Sequence, residues 1–226
     1  MILVAKIPFK KRILPSYSGG EEIFNWVSHA AGGALGIAAL VLLIVKAAIK
    51  SDVWSVVAAS IYGATLVILY TMSTLYHALK APTAKRVMQV MDHCTINLLI
   101  AGTYTPISLC AIRRTYPGWG WSIFGVVWGF CILACVFTAI DLNRFSKLAM
   151  ICYIGMGWCI VIAAKQAIAT IPPAGLLYLL AGGIAYTVGA VLYKVGKRKK
   201  WIHSVFHLFV ILGSVLHFFC IYIYVI

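Results

Sequence analysis

The sequence predicts an all-α polytopic membrane protein, a bundle of seven transmembrane helices with its N-terminus in the cytoplasm and its C-terminus outside. Three observations predict it. Of the 226 residues, 63% are hydrophobic and only 11% are charged, more apolar surface than a soluble domain of this length can bury. Seven runs come close to or exceed the ~20 apolar residues that cross a bilayer, with short polar or Pro/Gly-containing stretches between them. The basic residues, finally, fall unequally on the two sides of those runs.

The elements follow in order. Residues 1–23 read as a basic N-terminal arm and 24–226 as one seven-helix domain. The opening "MILVAKIPFKKR" is too short an apolar run for a cleavable signal and runs into charge. Span one covers about 25–45 and closes at "KAAIKSD"; span two, about 53–79, ends in "STLYHALK". Span three, about 87–111, opens after "KAPTAKR" and stops at "RRTYPGWG". Spans four (about 119–140) and five (about 148–170) are divided by "DLNRFSK". Span six, about 174–194, follows "TIPPAG", and span seven, about 203–225, follows the basic "KVGKRKK". Connections this short join antiparallel neighbours in one bundle.

Charge orients the bundle. On the N-terminal side lie Lys6, Lys10, Lys11, Arg12, Lys80, Lys85, Arg86, Arg144, Lys147, Lys194, Lys197, Arg198, Lys199 and Lys200. The other side carries Lys46, Lys50, Arg113, Arg114 and Lys165. The positive-inside rule therefore places the N-terminus in the cytoplasm of a multi-pass protein of the cell membrane. The net charge of +14 argues for anionic lipid at those loops, not for nucleic acid, because the basic residues are dispersed between apolar runs. The seven cysteines lie inside apolar runs without a CxxC pair and read as small hydrophobes, not as disulfides.

Polar residues inside the spans carry the chemistry. Asp92 sits within span three, where an ionisable group costs roughly 2.5–3.5 kcal/mol on insertion scales and points to function. His77 ends span two, three residues before Lys80; Asp92 follows Arg86 by six; His203 and His207 follow Lys200 by three and seven. At ~1.5 Å per residue all four fall within about 10 Å of the same membrane face. His203 and His207 are spaced i, i+4, as are Ser73 and His77, so each pair shares a helix face. Three imidazoles with an open position for water describe a catalytic zinc site. His217 lies ~15 Å deeper than His207 and reads as an interhelical contact. His93 points away from Asp92 toward another helix. Glu22, Asn25 and His29 form a polar ladder along span one that reads as packing in preference to ligation, with His29 close enough to the N-terminal face to support the site from behind.

"EEIFNWVSHAAGG", "STLYHAL", "MDHCTINLLIAGTYTP" and "HSVFHLFVILGSVLHFF" together resemble the haemolysin III family. That family is the prokaryotic branch of the progestin and adipoQ receptor (PAQR) superfamily, related more distantly to the alkaline ceramidases. The resemblance covers spans one, two, three and seven in order. It implies seven helices with a cytoplasmic N-terminus and a zinc ion on His77, His203 and His207, with Asp92 and Ser73 beside the metal-bound water.

The function expected from this set is hydrolysis of an amide or ester bond in a membrane lipid, with zinc-activated water as nucleophile. Asp92 serves as base and then acid, and Ser73 as an orienting or oxyanion-stabilising hydroxyl. The rivals are a receptor-like or membrane-homeostasis module with structural zinc, a pore-forming haemolysin, and a transporter using the cluster as a proton relay.

Overall fold

Seven helices long and apolar enough to cross a membrane follow one another along the chain. They are α1 (Gly19–Ile49), α2 (Val53–Ala78), α3 (Pro82–Thr115), α4 (Pro117–Asp141), α5 (Ser146–Thr170), α6 (Pro173–Gly196) and α7 (Ile202–Val225). The structure is a computed structural model that describes residues 9, 12, 14–50, 52–196 and 199–226. Among these there is no strand. Lys6, Lys10 and Lys11 of the expected arm, and Lys197 and Arg198 of the last basic loop, lie outside the described residues.

Local signals set the helix starts. α1 begins at Gly19, well before the apolar run near residue 25, because Ser18 and Glu21 close a capping box. The Ser18 hydroxyl accepts from the Glu21 N–H (3.3 Å) and the Glu21 carboxylate accepts from the Ser18 N–H (2.9 Å). The box draws Glu21 and Glu22 into the first helical turn, at the positive end of the helix dipole. Asp52 caps α2. Pro82, Pro117 and Pro173 open α3, α4 and α6, where a missing N–H costs nothing.

α3 is the central helix: 78% of its apolar window is buried, against 50% or less for the others. It packs on α2, α4 and α5, while α1 packs on α2 and α7, and α6 on α7. Small residues permit the closest approaches. A Cβ at Gly102 of α3 would overlap the Thr65 side chain of α2, and one at Gly182 of α6 would overlap the His217 ring of α7. On the face away from the N-terminus, Lys46 and Lys50 of α1 donate to the carbonyls of Tyr222 and Ile226 at the end of α7.

Three helices are irregular, α7 among them with π-helical turns over Ile221–Val225. α3 passes into π-helical turns over Ile107–Ile112. α5 is α-helical to Gly157, 3-10 over Cys159–Ala163 and α-helical again from Ala164. The break is held by one side chain. The Tyr104 hydroxyl donates to the Gly157 carbonyl and accepts from the Ile160 N–H, both at 2.9 Å, so backbone groups freed by the break stay paired. The topology gathers the starts of α1, α3 and α7 and the end of α2 on one face of the bundle.

Candidate metal centre

His77 on α2 and His203 and His207 on α7 are buried and converge. The Nε2 atoms of His77 and His203 lie 3.4 Å apart, and those of His203 and His207 3.2 Å apart. The three ligand atoms lie within 4.8 Å of one another. Bonds of about 2.0–2.1 Å at tetrahedral angles place ligand nitrogens roughly 3.3–3.4 Å apart, so the spacing suits one shared ion. Mutual hydrogen bonding suits it less, since N–H···acceptor distances centre near 2.9–3.0 Å.

The tautomer of His77 argues in the same direction. Its Nδ1 lies 2.6 Å from Glu22 Oε2, so Nδ1 carries the proton and the Nε2 lone pair faces the other two rings. A buried lone pair aimed at two further imidazoles needs a proton or a cation. The donor set therefore fits a metal of borderline softness.

Neighbouring rings pack the site. His29 of α1 stacks on His207, with centroids 3.8 Å apart and planes at 27°. Tyr17, just before α1, stacks on His203 at 4.7 Å and 23°. Burial pushes the Tyr17 hydroxyl well above the ordinary phenol range. Arg12 donates to the Ile140 carbonyl at the end of α4 (3.1 Å) and accepts at its own carbonyl from Arg86 of α3 (2.9 Å).

Asp92 and Ser73 both line a cavity of about 40 Å³ beside His203, large enough for a water. The Ser73 hydroxyl lies against the Asp92 carboxylate. A second, larger cavity of about 130 Å³ extends among α3, α5, α6 and α7 with a largely apolar lining. The two share Leu69, His93, Ile96, Tyr193, Phe206 and Val210, so the chamber that holds Ser73 and Asp92 adjoins an apolar one.

The remaining histidines lie outside the converging three, although His29 stacks on His207 and His93 Nδ1, expected to point away from Asp92, lies 3.6 Å from its Oδ2. His217 donates from Nε2 to the Leu179 carbonyl of α6 at 3.1 Å, the interhelical contact its depth predicts. His93 turns to α6, with Nε2 2.9 Å from the Tyr193 hydroxyl and Nδ1 2.8 Å from the Gln89 carbonyl. His29 packs and has no hydrogen-bond partner among the described residues. All seven cysteines are free. Glu22 and Tyr17 are the site neighbours that sequence reasoning missed. The Ser-x-x-Glu signature at 18–21 could have placed Glu22 inside α1, whereas nothing in the sequence marks Tyr17.

A family model described as "Haemolysin-III related" matches residues 17–218. The chain belongs to the haemolysin III family. It is 38% identical to hemolysin-3 of Bacillus cereus, over 91% of this chain and 92% of that protein. It is 37% identical to the hemolysin-3 homolog of Bacillus subtilis, over 90% and 94%. At greater distance it is 24% identical to the human monocyte to macrophage differentiation factor, over 90% and 84%, which extends the kinship to the PAQR superfamily. No solved structure matches the chain. The matched region contains all three converging histidines together with Ser73 and Asp92.

Proposed function

We propose that this haemolysin III family member is a zinc-dependent hydrolase of the cell membrane that cleaves an amide or ester bond in a lipid. One observation carries the reading. Three imidazoles converge, with His203 Nε2 3.4 Å from that of His77 and 3.2 Å from that of His207 and all three ligand atoms within 4.8 Å of one another, beside a small cavity lined by Ser73 and Asp92 that adjoins a larger apolar one. Three protein ligands with room for a fourth are the pattern of a catalytic zinc site, whereas structural sites are closed by four.

His77, His203 and His207 would hold the ion through their ring nitrogens. Zinc bound there supplies a water acidified toward neutral pH and a Lewis acid for a carbonyl. Asp92 receives the proton of the attacking water on a carboxylate oxygen and returns it to the leaving amine or alcohol. Ser73, with one hydroxyl proton to give, orients the water or donates to charge developing on the carbonyl oxygen. The apolar cavity accepts the acyl chain, and the acyl carbonyl then meets the chamber that holds Ser73 and Asp92 at the residues the two share. The basic loops on the N-terminal side support a cytoplasmic N-terminus and contact with anionic lipid. They would put the reaction near the cytoplasmic leaflet.

The test has two stages. Purified protein is analysed for metal, with one zinc per chain expected, lost in a His203→Ala/His207→Ala variant. Zinc-loaded protein is then incubated with ceramide and with phospholipid while free fatty acid is measured. Absence of metal overturns the site. A zinc-loaded chain that releases no fatty acid from either lipid, yet loses its fold under chelators, overturns the hydrolase in favour of structural zinc.

A further inference from the structure

Adjacent glutamates open α1, and they do different things. Glu21 completes the capping box and accepts the Trp201 N–H at 2.6 Å. Glu22 reaches across to α2 and α3. Its Oε2 lies 2.6 Å from His77 Nδ1 and its Oε1 lies 2.5 Å from the Lys85 ammonium. The His77 side chain is 1% exposed and the Glu22 side chain 20%, so the bond lies on the rim between a dry cluster and a wetter surface.

A carboxylate on the far nitrogen of a metal-binding imidazole does two physical things. It fixes the tautomer, with the proton on Nδ1 and the lone pair on Nε2, and it makes that lone pair a stronger donor. The three rings are not treated alike. Among the described residues no carboxylate backs His207, which has only the backbone of Asn25 beside it, and Glu22 is the carboxylate that reaches the cluster from behind. The sole ligand from α2 is thus the one anchored by charge, while the α7 pair is preset by its i, i+4 spacing.

We infer that Glu22 is a positioning residue of the metal centre: acting through His77, it sets how tightly the three imidazoles hold their ion. The inference rests on the metal reading above. The competing account makes Glu22 one half of an ion pair with Lys85 that ties α1 to α3 and has no effect on the metal. The two accounts part at Lys85. Removing the lysine breaks the ion pair but leaves the carboxylate on His77; neutralising the glutamate disturbs both.

The experiment measures zinc affinity of the purified full-length chain by competition with a chromophoric chelator, for wild type, Glu22→Gln and Lys85→Met. Cobalt absorption spectra report ligand geometry alongside. The outer partner of a metal-binding histidine is worth about 10–100-fold in affinity. Glu22→Gln should therefore bind zinc at least about tenfold more weakly with an altered cobalt spectrum, while Lys85→Met stays within about threefold of wild type. In a His77→Ala background the Glu22→Gln effect should vanish, because the ring it acts through is gone. Equal affinity of Glu22→Gln and wild type overturns the inference and leaves the metal site standing. So does an equal loss in Lys85→Met. Wild type that binds no metal overturns both. If Glu22→Gln does not purify as a monodisperse protein, Glu22→Asp, which retracts the carboxylate by one methylene, is judged by the same criteria.

Discussion

Replacing His207 by leucine should change the sign of its effect on stability when metal is removed. His207 is 1% exposed, and its Nε2 faces that of His203 at 3.2 Å. Without an ion, the converging ring nitrogens cannot all pair with one another, and a buried polar group left unpaired costs about 1–3 kcal/mol. Leucine is of similar bulk and removes one such group, so in chelator the variant should match or exceed wild type, by up to about 1–3 kcal/mol. With an ion, wild type gains about 4.1 kcal/mol at a free metal concentration a thousand times the dissociation constant. At about 2–4 °C per kcal/mol for a chain of this size, that is an upward shift of roughly 8–16 °C. The variant, having lost one of three ligands, should gain little. Thermal denaturation in micelles at one fixed scan rate, with excess zinc and with chelator, gives the four values. Mutual hydrogen bonding of the histidines predicts something else: a leucine variant less stable than wild type by the same margin in both conditions, and a chelator without effect. Either result refutes the metal argument.

Three further outcomes follow from other parts of the structure. Asp92→Asn should keep one zinc per chain yet lose about 10²–10⁴-fold in lipid turnover, the usual worth of a general acid–base; metal analysis and fatty acid release measure the two separately. Gly102→Val forces a side chain into Thr65, whereas Gly125 has nothing within 4 Å of its Cβ position. The first should cost about 1–3 kcal/mol and the second less than about 0.5 kcal/mol, read as loss of thermal stability. Asp52, outside the spans, is held below the usual carboxylate range by its bond to Ser55 and by the Arg114 guanidinium. That stabilisation is present above the unfolded value near 3.9 and fades as pH falls through the lower folded value. Asp52→Asn should therefore cost about 0.5–1 kcal/mol at neutral pH, with the gap from wild type closing below about pH 4 in melts across the acid range.

Depth was legible in the sequence and direction was not. Lys80, Arg86 and Lys200 mark the membrane boundary, and counting at ~1.5 Å per residue put His77, Asp92, His203 and His207 in one layer. The structure brings His77, His203 and His207 together there, with Asp92 on the adjoining cavity. The azimuth of each side chain about its helix depends on how helices rotate against one another, and hydropathy in a uniformly apolar span leaves that free. So Glu22 read as part of a packing ladder, although it turns to His77. The break in α5 was hidden for a different reason. The run through Trp158–Ala163 is as apolar as its flanks, and the Tyr104 hydroxyl that stabilises the break comes from α3, a tertiary partner that no local pattern reports.

α1 supplies none of the three converging imidazoles, yet its first turn touches both helices that do. Glu21 accepts the N–H of Trp201, the residue that enters α7 in the left-handed region at φ 64°. A tryptophan there is strained, and the bond to Glu21 helps to hold it. Two residues later comes His203. Glu22 holds His77 of α2 from the other side, and further along the same helix His29 lies flat on His207. The helix α1 thus acts on each of the three rings or on its immediate backbone. This explains why so polar a ladder persists at the start of an apolar span. Burying Glu22, Asn25 and His29 is costly unless each is matched; Glu22 is matched by His77 and Lys85, while His29 contributes a ring stack on His207 and no hydrogen bond among the described residues. The segment that reads as packing in the sequence is, in the folded chain, the frame against which the candidate metal centre is set.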